Sequence, residues 1–181
     1  MQYTVTFNNG VSKFALRKVP YVPRVLDVAA GIGIPYSEFA VFNTDATLLE
    51  RAEAHALAGH YTEALSDINA ELTAFTKKKT QLTLDQIRDF YTSLAYYTPL
   101  KPTPKKALHP LFEIEKTTQE PLLQCILQLR RLVTIHEGLR LQDVKRYGIT
   151  LYRRQVDELA RVTAVTDSMK VGDPRLAIQL P

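Results

Sequence analysis

A single cysteine in 181 residues rules out an intrachain disulfide framework, so any fold must be held by a core or by partners. Cys125 lies in "PLLQCILQL", where a small buried hydrophobe is the first reading and a reactive thiol the second. No apolar run approaches the roughly 20 residues needed to span a bilayer. The opening "MQYTVTFNNG" also lacks the charged and apolar regions of a secretion signal. These absences predict a protein with no membrane partner, placed in the cytoplasm or inside an assembly such as a virion. Glycine is scarce, and "GIGIP" offers Gly31 and Gly33 without the Lys-Ser or Lys-Thr pair of a phosphate loop. No nucleophile stands beside a base, and neither Ser37-Glu38 nor Asp67 with Asn69 makes a site. His55 and His60 flank a helix break and are poorly spaced with Glu63 for metal, while His109 and His136 stand alone. No metal and no cofactor is expected, and an enzyme would need residues that converge only in three dimensions.

Hydrophobic residues make up 45% of the chain, enough for one substantial core. "VTFNNGVSKFAL" reads as a β-hairpin, because a two-residue type I′ loop needs positive φ at both central positions and Asn9-Gly10 tolerates that. The turn fixes the register: Asn8 opposite Val11, Phe7 opposite Ser12, Val5 opposite Phe14 and Tyr3 opposite Leu16. Tyr3, Val5, Phe7, Phe14 and Leu16 then share one apolar face. A lone hairpin is marginal in water, so that face requires cover from helices or from another chain.

After the hairpin, Pro20 and Pro23 end the strand, and Val25, Leu26, Val28 and Ala29 suit a short buried helix stopped at "GIGIP". "YSEFAVFN" fits a short helix or a strand equally. From Thr44 the pattern is helical, with a break at Gly59 and a second helix from about Tyr61, which makes an antiparallel helix pair. "TLDQIRDFYTSLAYY" is an amphipathic helix capped by Thr83. "TPLKPTPKKALHP" packs four prolines and three lysines into thirteen residues, the composition of an extended surface connector. "TTQEPLLQCILQLRRLVTIHEG" is apolar around most of its circumference and predicts the central helix. In "LRLQDVKRYGITLYRRQVDELARVTAV", Gly148 breaks a helix and Thr150 caps the next, which would bury Tyr152, Val156, Leu159, Ala160 and Thr163. The tail from Asp167 has too little periodicity to fold alone.

Charge is segregated far more than the net value of +4 suggests. Residues 37–76 hold seven acids against one Arg, and residues 77–110 hold seven bases against two acids. Such a layout suits head-to-tail contact between subunits, pairing of the acidic helices with basic helices inside the chain, or capture of a polyanion. Glu50, Glu53 and Glu63 are the acids expected to meet a protein partner. Lys77, Lys78, Lys79, Lys105, Lys106, Arg130, Arg131, Lys145, Arg146, Arg153 and Arg154 are the bases that would neutralise phosphates. Tyr96 and Tyr97, beside basic residues, suit either base stacking or the core.

Three local resemblances sharpen these expectations. The order hairpin, helix, "GIP", "FAVFN" resembles the opening of ubiquitin-like β-grasp domains over the first 43 residues. It stops at Thr44, and "AIQLP" lacks the Gly-Gly end, so no conjugation chemistry is implied. Ala52, Gly59, Tyr61 and Ala64 resemble a tetratricopeptide hairpin, but no second copy follows at a spacing of about 34 residues. "DVKRYGITLYRR" resembles a helix-turn-helix, which would aim Arg153 and Arg154 at DNA; aligned on Gly148, its recognition-helix apolar positions fall on Arg154 and Asp157.

The expected fold class is α+β, mostly α, with an N-terminal β-hairpin packed on a multi-helix bundle. The expected divisions are a hairpin-plus-helix module (1–43), a helical hairpin and amphipathic helix (44–98), a proline-rich connector (99–117), C-terminal helices (118–166) and an extended tail (167–181). The expected function is a non-catalytic structural or adaptor subunit of a larger assembly, a phage particle among them, with a protein partner or further copies of itself. A basic nucleic-acid-binding protein using helices 122–165 is the alternative.

Overall fold

The computed structural model describes residues 3–8, 11–16, 21–37, 43–135, 137–159 and 161–177, with the backbone alone at 3–8, 11–16, 21–23, 35 and 37. The chain divides into two units, Met1–Asn43 and Thr44–Pro181. Among the described residues it forms five α-helices and three two-stranded antiparallel sheets, a mostly helical α+β fold.

The first unit is two hairpins. Strands β1 (Tyr3–Asn8) and β2 (Val11–Leu16) pair in the register that an Asn-Gly turn dictates, with Tyr3 opposite Leu16 and Asn8 opposite Val11. Asn9 and Gly10 lie outside the described residues, as do the side chains of the face assigned to Tyr3, Val5, Phe7, Phe14 and Leu16. The helix expected at Val25–Ala29 is replaced by a second hairpin, β3 (Tyr21–Asp27) with β4 (Ile32–Ser37). Turn chemistry overrides the helical spacing here. The Asp27 carboxylate accepts from the amides of Ala29 (2.9 Å) and Ala30 (3.0 Å), and Gly31 takes φ +65°, which together reverse the chain. Pro23 stands opposite Pro35, so the two missing N–H groups share one non-hydrogen-bonded position and cost the ladder nothing. Of "YSEFAVFN", Tyr36 and Ser37 close β4; residues 38–42 are outside the described part.

The second unit is built on α1 (Thr44–Leu57), α2 (Tyr61–Phe75), α3 (Leu84–Ser93) and α4 (Gln119–Val133). Gly59 at φ +80° makes the predicted break between α1 and α2. Ala52, Ala56 and Ala64 are fully buried, and such small side chains let helices approach closely. The α4 helix is central as expected: it contacts α1, α2 and α3, and Leu122, Leu123 and Ile126 fill the space between them. Thr83 caps α3 through a reciprocal box with Gln86.

Between α3 and α4 the chain has no regular element, as its prolines predict, but it is not merely a surface strap. Leu108 and Ile114 enter the core, and Gln124 of α4 clips the backbone of Lys106 at both its N–H (3.0 Å) and its carbonyl. Beyond α4 a short helix α5 (Arg140–Arg146) ends at Gly148. The long helix expected beyond it is instead a hairpin, β5 (Leu151–Val156) with β6 (Val162–Met169). Val, Thr and Tyr favour the extended backbone there, and the Asp157 carboxylate takes the amides of Leu159 and Arg161 to turn the chain. Val156 and Leu159, assigned to a buried stripe, are exposed. The helix-turn-helix reading falls with that helix, since Arg153 and Arg154 sit on a strand. The described part of the tail carries regular structure: residues 167–169 end β6, Asp173 caps a 3-10 turn at Pro174–Leu176, and Leu176 is buried.

Gly148 has φ +58°, and a Cβ there would lie 2.4 Å from the His109 carbonyl oxygen and 2.9 Å from Val171. Gly148→Ala should therefore destabilise the protein by about 2–4 kcal/mol in urea unfolding, from left-handed strain plus a backbone clash. An unchanged midpoint would contradict this close approach.

Candidate functional site

Two clusters of charge in the second unit bear on a candidate site. The first is a neutralised network that ties α1, α4 and α5 together. Glu53 of α1 is 7% exposed. One carboxylate oxygen accepts from Arg130 of α4, and the other accepts from Arg146 Nε (2.8 Å) and the Tyr147 hydroxyl (2.6 Å). Arg130 also donates to Asp143 (2.6 Å), which Arg140 approaches at 3.3 Å. Burial by itself would push the Glu53 carboxyl up, but Arg130, the Tyr147 hydroxyl and Arg146 outweigh it and hold the group below the usual carboxylate range. A recess of about 290 Å³ opens on this network, lined by Glu50, Glu53, Asp143, Arg130 and Arg146, so acids and bases nearly cancel.

The second cluster is a pocket of about 510 Å³ with no acid in its wall. Four cations line it: Lys106 from the proline-rich connector, Arg131 from α4, Arg140 from α5 and Arg154 from β5. Lys106 is 8% exposed; its Nζ lies 3.4 Å from the centroid of the Tyr97 ring and donates to the Thr103 carbonyl. Arg154 donates to the carbonyls of Pro99 and Thr98 (2.7 Å each) and to the Tyr97 hydroxyl (2.5 Å), all neutral acceptors. Its guanidinium also lies 4.3 Å from the Tyr97 centroid. Arg131 is exposed, and no acid lies within ion-pair distance of it among the described residues. Only Arg140 meets a carboxylate, that of Asp143. Burial, then the positive charges of Arg131, Arg140 and Arg154, push the Lys106 ammonium down to about 7.

The pocket gathers Lys106, Arg131 and Arg154 from the predicted basic residues. Arg130 and Arg146 belong instead to the Glu53 network, and Lys105 lies over the Tyr96 ring at 4.3 Å. Lys77, Lys78, Lys79, Lys145 and Arg153 are exposed and outside the pocket wall. Of the three acids assigned to a protein partner, Glu50 and Glu63 are exposed, whereas Glu53 is consumed inside the chain. Asp67 is likewise held by the Arg51 fork at 2.9 and 2.7 Å. The sequence reading missed Arg140, an isolated Arg in "GLRLQD" with no patterned neighbour. The Tyr97 ring carries the cations of both Lys106 and Arg154.

Cys125 is buried, which raises its thiol to about 12 and leaves it a packing residue. The His55 and His60 rings lie 5.9 Å apart and are tilted by 43°, and no group of three or more potential metal ligands occurs among the described residues. No described helix is long and apolar enough to cross a membrane. No protein-family model matches the chain, and neither the curated proteins nor the solved structures give a match.

Two measurements check this electrostatic picture. Glu53→Ala leaves Arg130 buried with half its counter-charge and should cost about 3 kcal/mol in chemical unfolding; a loss under about 1 kcal/mol would mean that packing and not the network joins these helices. For Lys106 the sign runs the other way. From about pH 7 to the ordinary lysine range near 10, the unfolded chain holds a proton that the folded chain lacks, so the contribution of Lys106 to stability rises with pH. Lys106→Met should be more stable than wild type at pH 6 by on the order of 2 kcal/mol, with the difference closing as pH rises through that window. Parallel stability curves would show that Lys106 carries no strain of charge.

Proposed function

We propose that the protein is a non-catalytic binding subunit that captures a phosphate-bearing ligand in the basic pocket. The observation that carries this reading is the unpaired charge: three of the four pocket cations face only neutral acceptors or solvent. In a chain with 19 acids, carboxylates pair with Arg51, Arg130 and Arg146, yet none lines this wall. Grouped cations repel one another, and Lys106 sits in their field. An anion that relieves this repulsion gains affinity from contacts that the protein's own groups do not supply at this wall. Nucleic acid enters this reading as one source of phosphate, since the basic helices expected to track a backbone are spent partly on Glu53.

A second reading, protein assembly, is favoured by the β3–β4 hairpin. Val25, Leu26, Val28, Ile32 and Ile34 are each more than half exposed, an unusual concentration on so short an element. This is the adaptor role with an apolar surface on the second hairpin, in addition to the face expected on the first. The two readings are compatible, since each uses a different unit.

Isothermal titration with inorganic pyrophosphate should give saturable binding that weakens steadily as salt is raised, because the pocket's contribution is electrostatic. No heat of binding and no thermal shift at low salt would remove the reading. For assembly, sedimentation should show a species larger than the monomer that Ile34→Asp dissociates without lowering the melting temperature; a wild-type monomer at high concentration would dismiss it.

A further inference from the structure

Resting on the binding reading above, we infer that the pocket takes the terminal phosphate of a small organic phosphate, a phosphomonoester or diphosphate, and does not read the group attached to it. Charge selects the class. Arg131 and Arg154 bring two permanent positive charges without carboxylate partners, Lys106, only partly protonated at neutral pH, adds part of a third, and Arg140 adds one that Asp143 offsets. A phosphodiester brings a single negative charge, whereas a phosphomonoester carries about −1.5 to −2 at neutral pH and three strong acceptor oxygens. A diphosphate carries more. The terminal group matches the pocket's unpaired charge; the diester leaves most of it unanswered.

Shape and aromatic geometry agree. The recess, about 510 Å³, lies in the range of small-molecule sites, and its walls come from the connector, α4, α5 and β5 rather than from one extended basic track. Single-strand readers need open aromatic faces for bases. Here the Tyr97 ring already carries Lys106 and Arg154, and its partner Tyr152 lies 5.5 Å away at a tilt of 32° with Arg154 at 5.4 Å. Tyr96 carries Lys105, and its hydroxyl donates to Glu120 (3.0 Å). Tyr97, the tyrosine of the pocket wall, is committed to two cations, so a nucleobase stacking on it would have to displace one. Arg131, exposed on α4, is the cation best free to close on an incoming phosphate, with Gln128 beside it on the wall.

The test is a competition titration against bound pyrophosphate using adenosine 5′-monophosphate, ribose 5-phosphate, adenosine, and oligonucleotides with a 5′-hydroxyl or a 5′-phosphate. The two monophosphates should displace pyrophosphate with affinities within about threefold of each other, and adenosine should not displace it. Arg131→Ala, whose melting temperature should match wild type because the side chain is exposed, should weaken both by about tenfold. Arg153→Ala, which removes the same charge from outside the pocket wall, should leave both unchanged. Equal competition by the 5′-hydroxyl oligonucleotide would overturn the inference in favour of diester binding while the proposed function stands. A strong preference for adenosine 5′-monophosphate over ribose 5-phosphate would show that the base is read, and a 5′-phosphorylated oligonucleotide binding far more tightly than either would assign the site to a chain end; both overturn it. Failure of pyrophosphate to bind at all would remove the proposed function and this inference together.

Discussion

The second unit depends on one buried carboxylate. Glu53 sits on α1, yet its donors come from α4 and from the end of α5, so three helices must reach their places before its charge is satisfied. A carboxylate left alone in such a place costs several kcal/mol. Apolar packing around Leu122, Leu123 and Ile126 supplies the bulk of the driving force, but hydrophobic contact is tolerant of rotation and slippage. The carboxylate is not. It fixes which face of α1 meets Arg130 and how far along α4 the two helices engage, and Gln119 adds a second point of register by donating to the carbonyls of Ala56 (2.9 Å) and Leu57 (3.2 Å).

The pocket follows from that arrangement. Arg130 and Arg131 are consecutive on α4 and leave the helix in different directions. The first is drawn into the acid network, and the second is left toward the connector. Arg140 stands at the junction, paired with the network's Asp143 while also lining the basic wall. Gln124 completes the site by holding the Lys106 backbone at both ends, which presents the lysine to Tyr97. One helix thus sorts the basic residues into those that are neutralised and those that are not.

Local chemistry was legible wherever a turn or cap carried its own signature. The Thr83 cap, the breaks at Gly59 and Gly148 and the β1–β2 register are all decisions made within a few residues. The two missed hairpins show the limit. Val25 to Ala29 and Tyr152 to Thr163 both carry apolar residues at helical spacing, and the strand is chosen by Asp27 and Asp157, whose carboxylates capture nearby amides and reverse the chain. An Asp inside an amphipathic pattern looks like a solvated position until the turn is seen. The charge segregation was visible, and one of its three readings, pairing within the chain, describes Glu53. Which bases would be spent on acids was not visible, because Arg130 and Arg131, or Arg153 and Arg154, are identical in sequence and differ only in what lies opposite.

Sequence separation in the Glu53 network also orders events during synthesis. Glu53 precedes Arg130 by 77 residues and Tyr147 by 94. At roughly 5–20 residues per second, the ribosome finishes the α1–α2 hairpin on the order of ten seconds before its first counter-charge exists. During that interval Ala52, Ala56 and Ile68 have no α4 to pack against, and Gln119 is not there to close the end of α1. The acids that later bind the helices together meanwhile keep the half-made hairpin negatively charged and hydrated. The same carboxylate that is costly to bury in the finished fold is protective in the nascent one, holding a sticky helix pair in solution until its partner helix arrives.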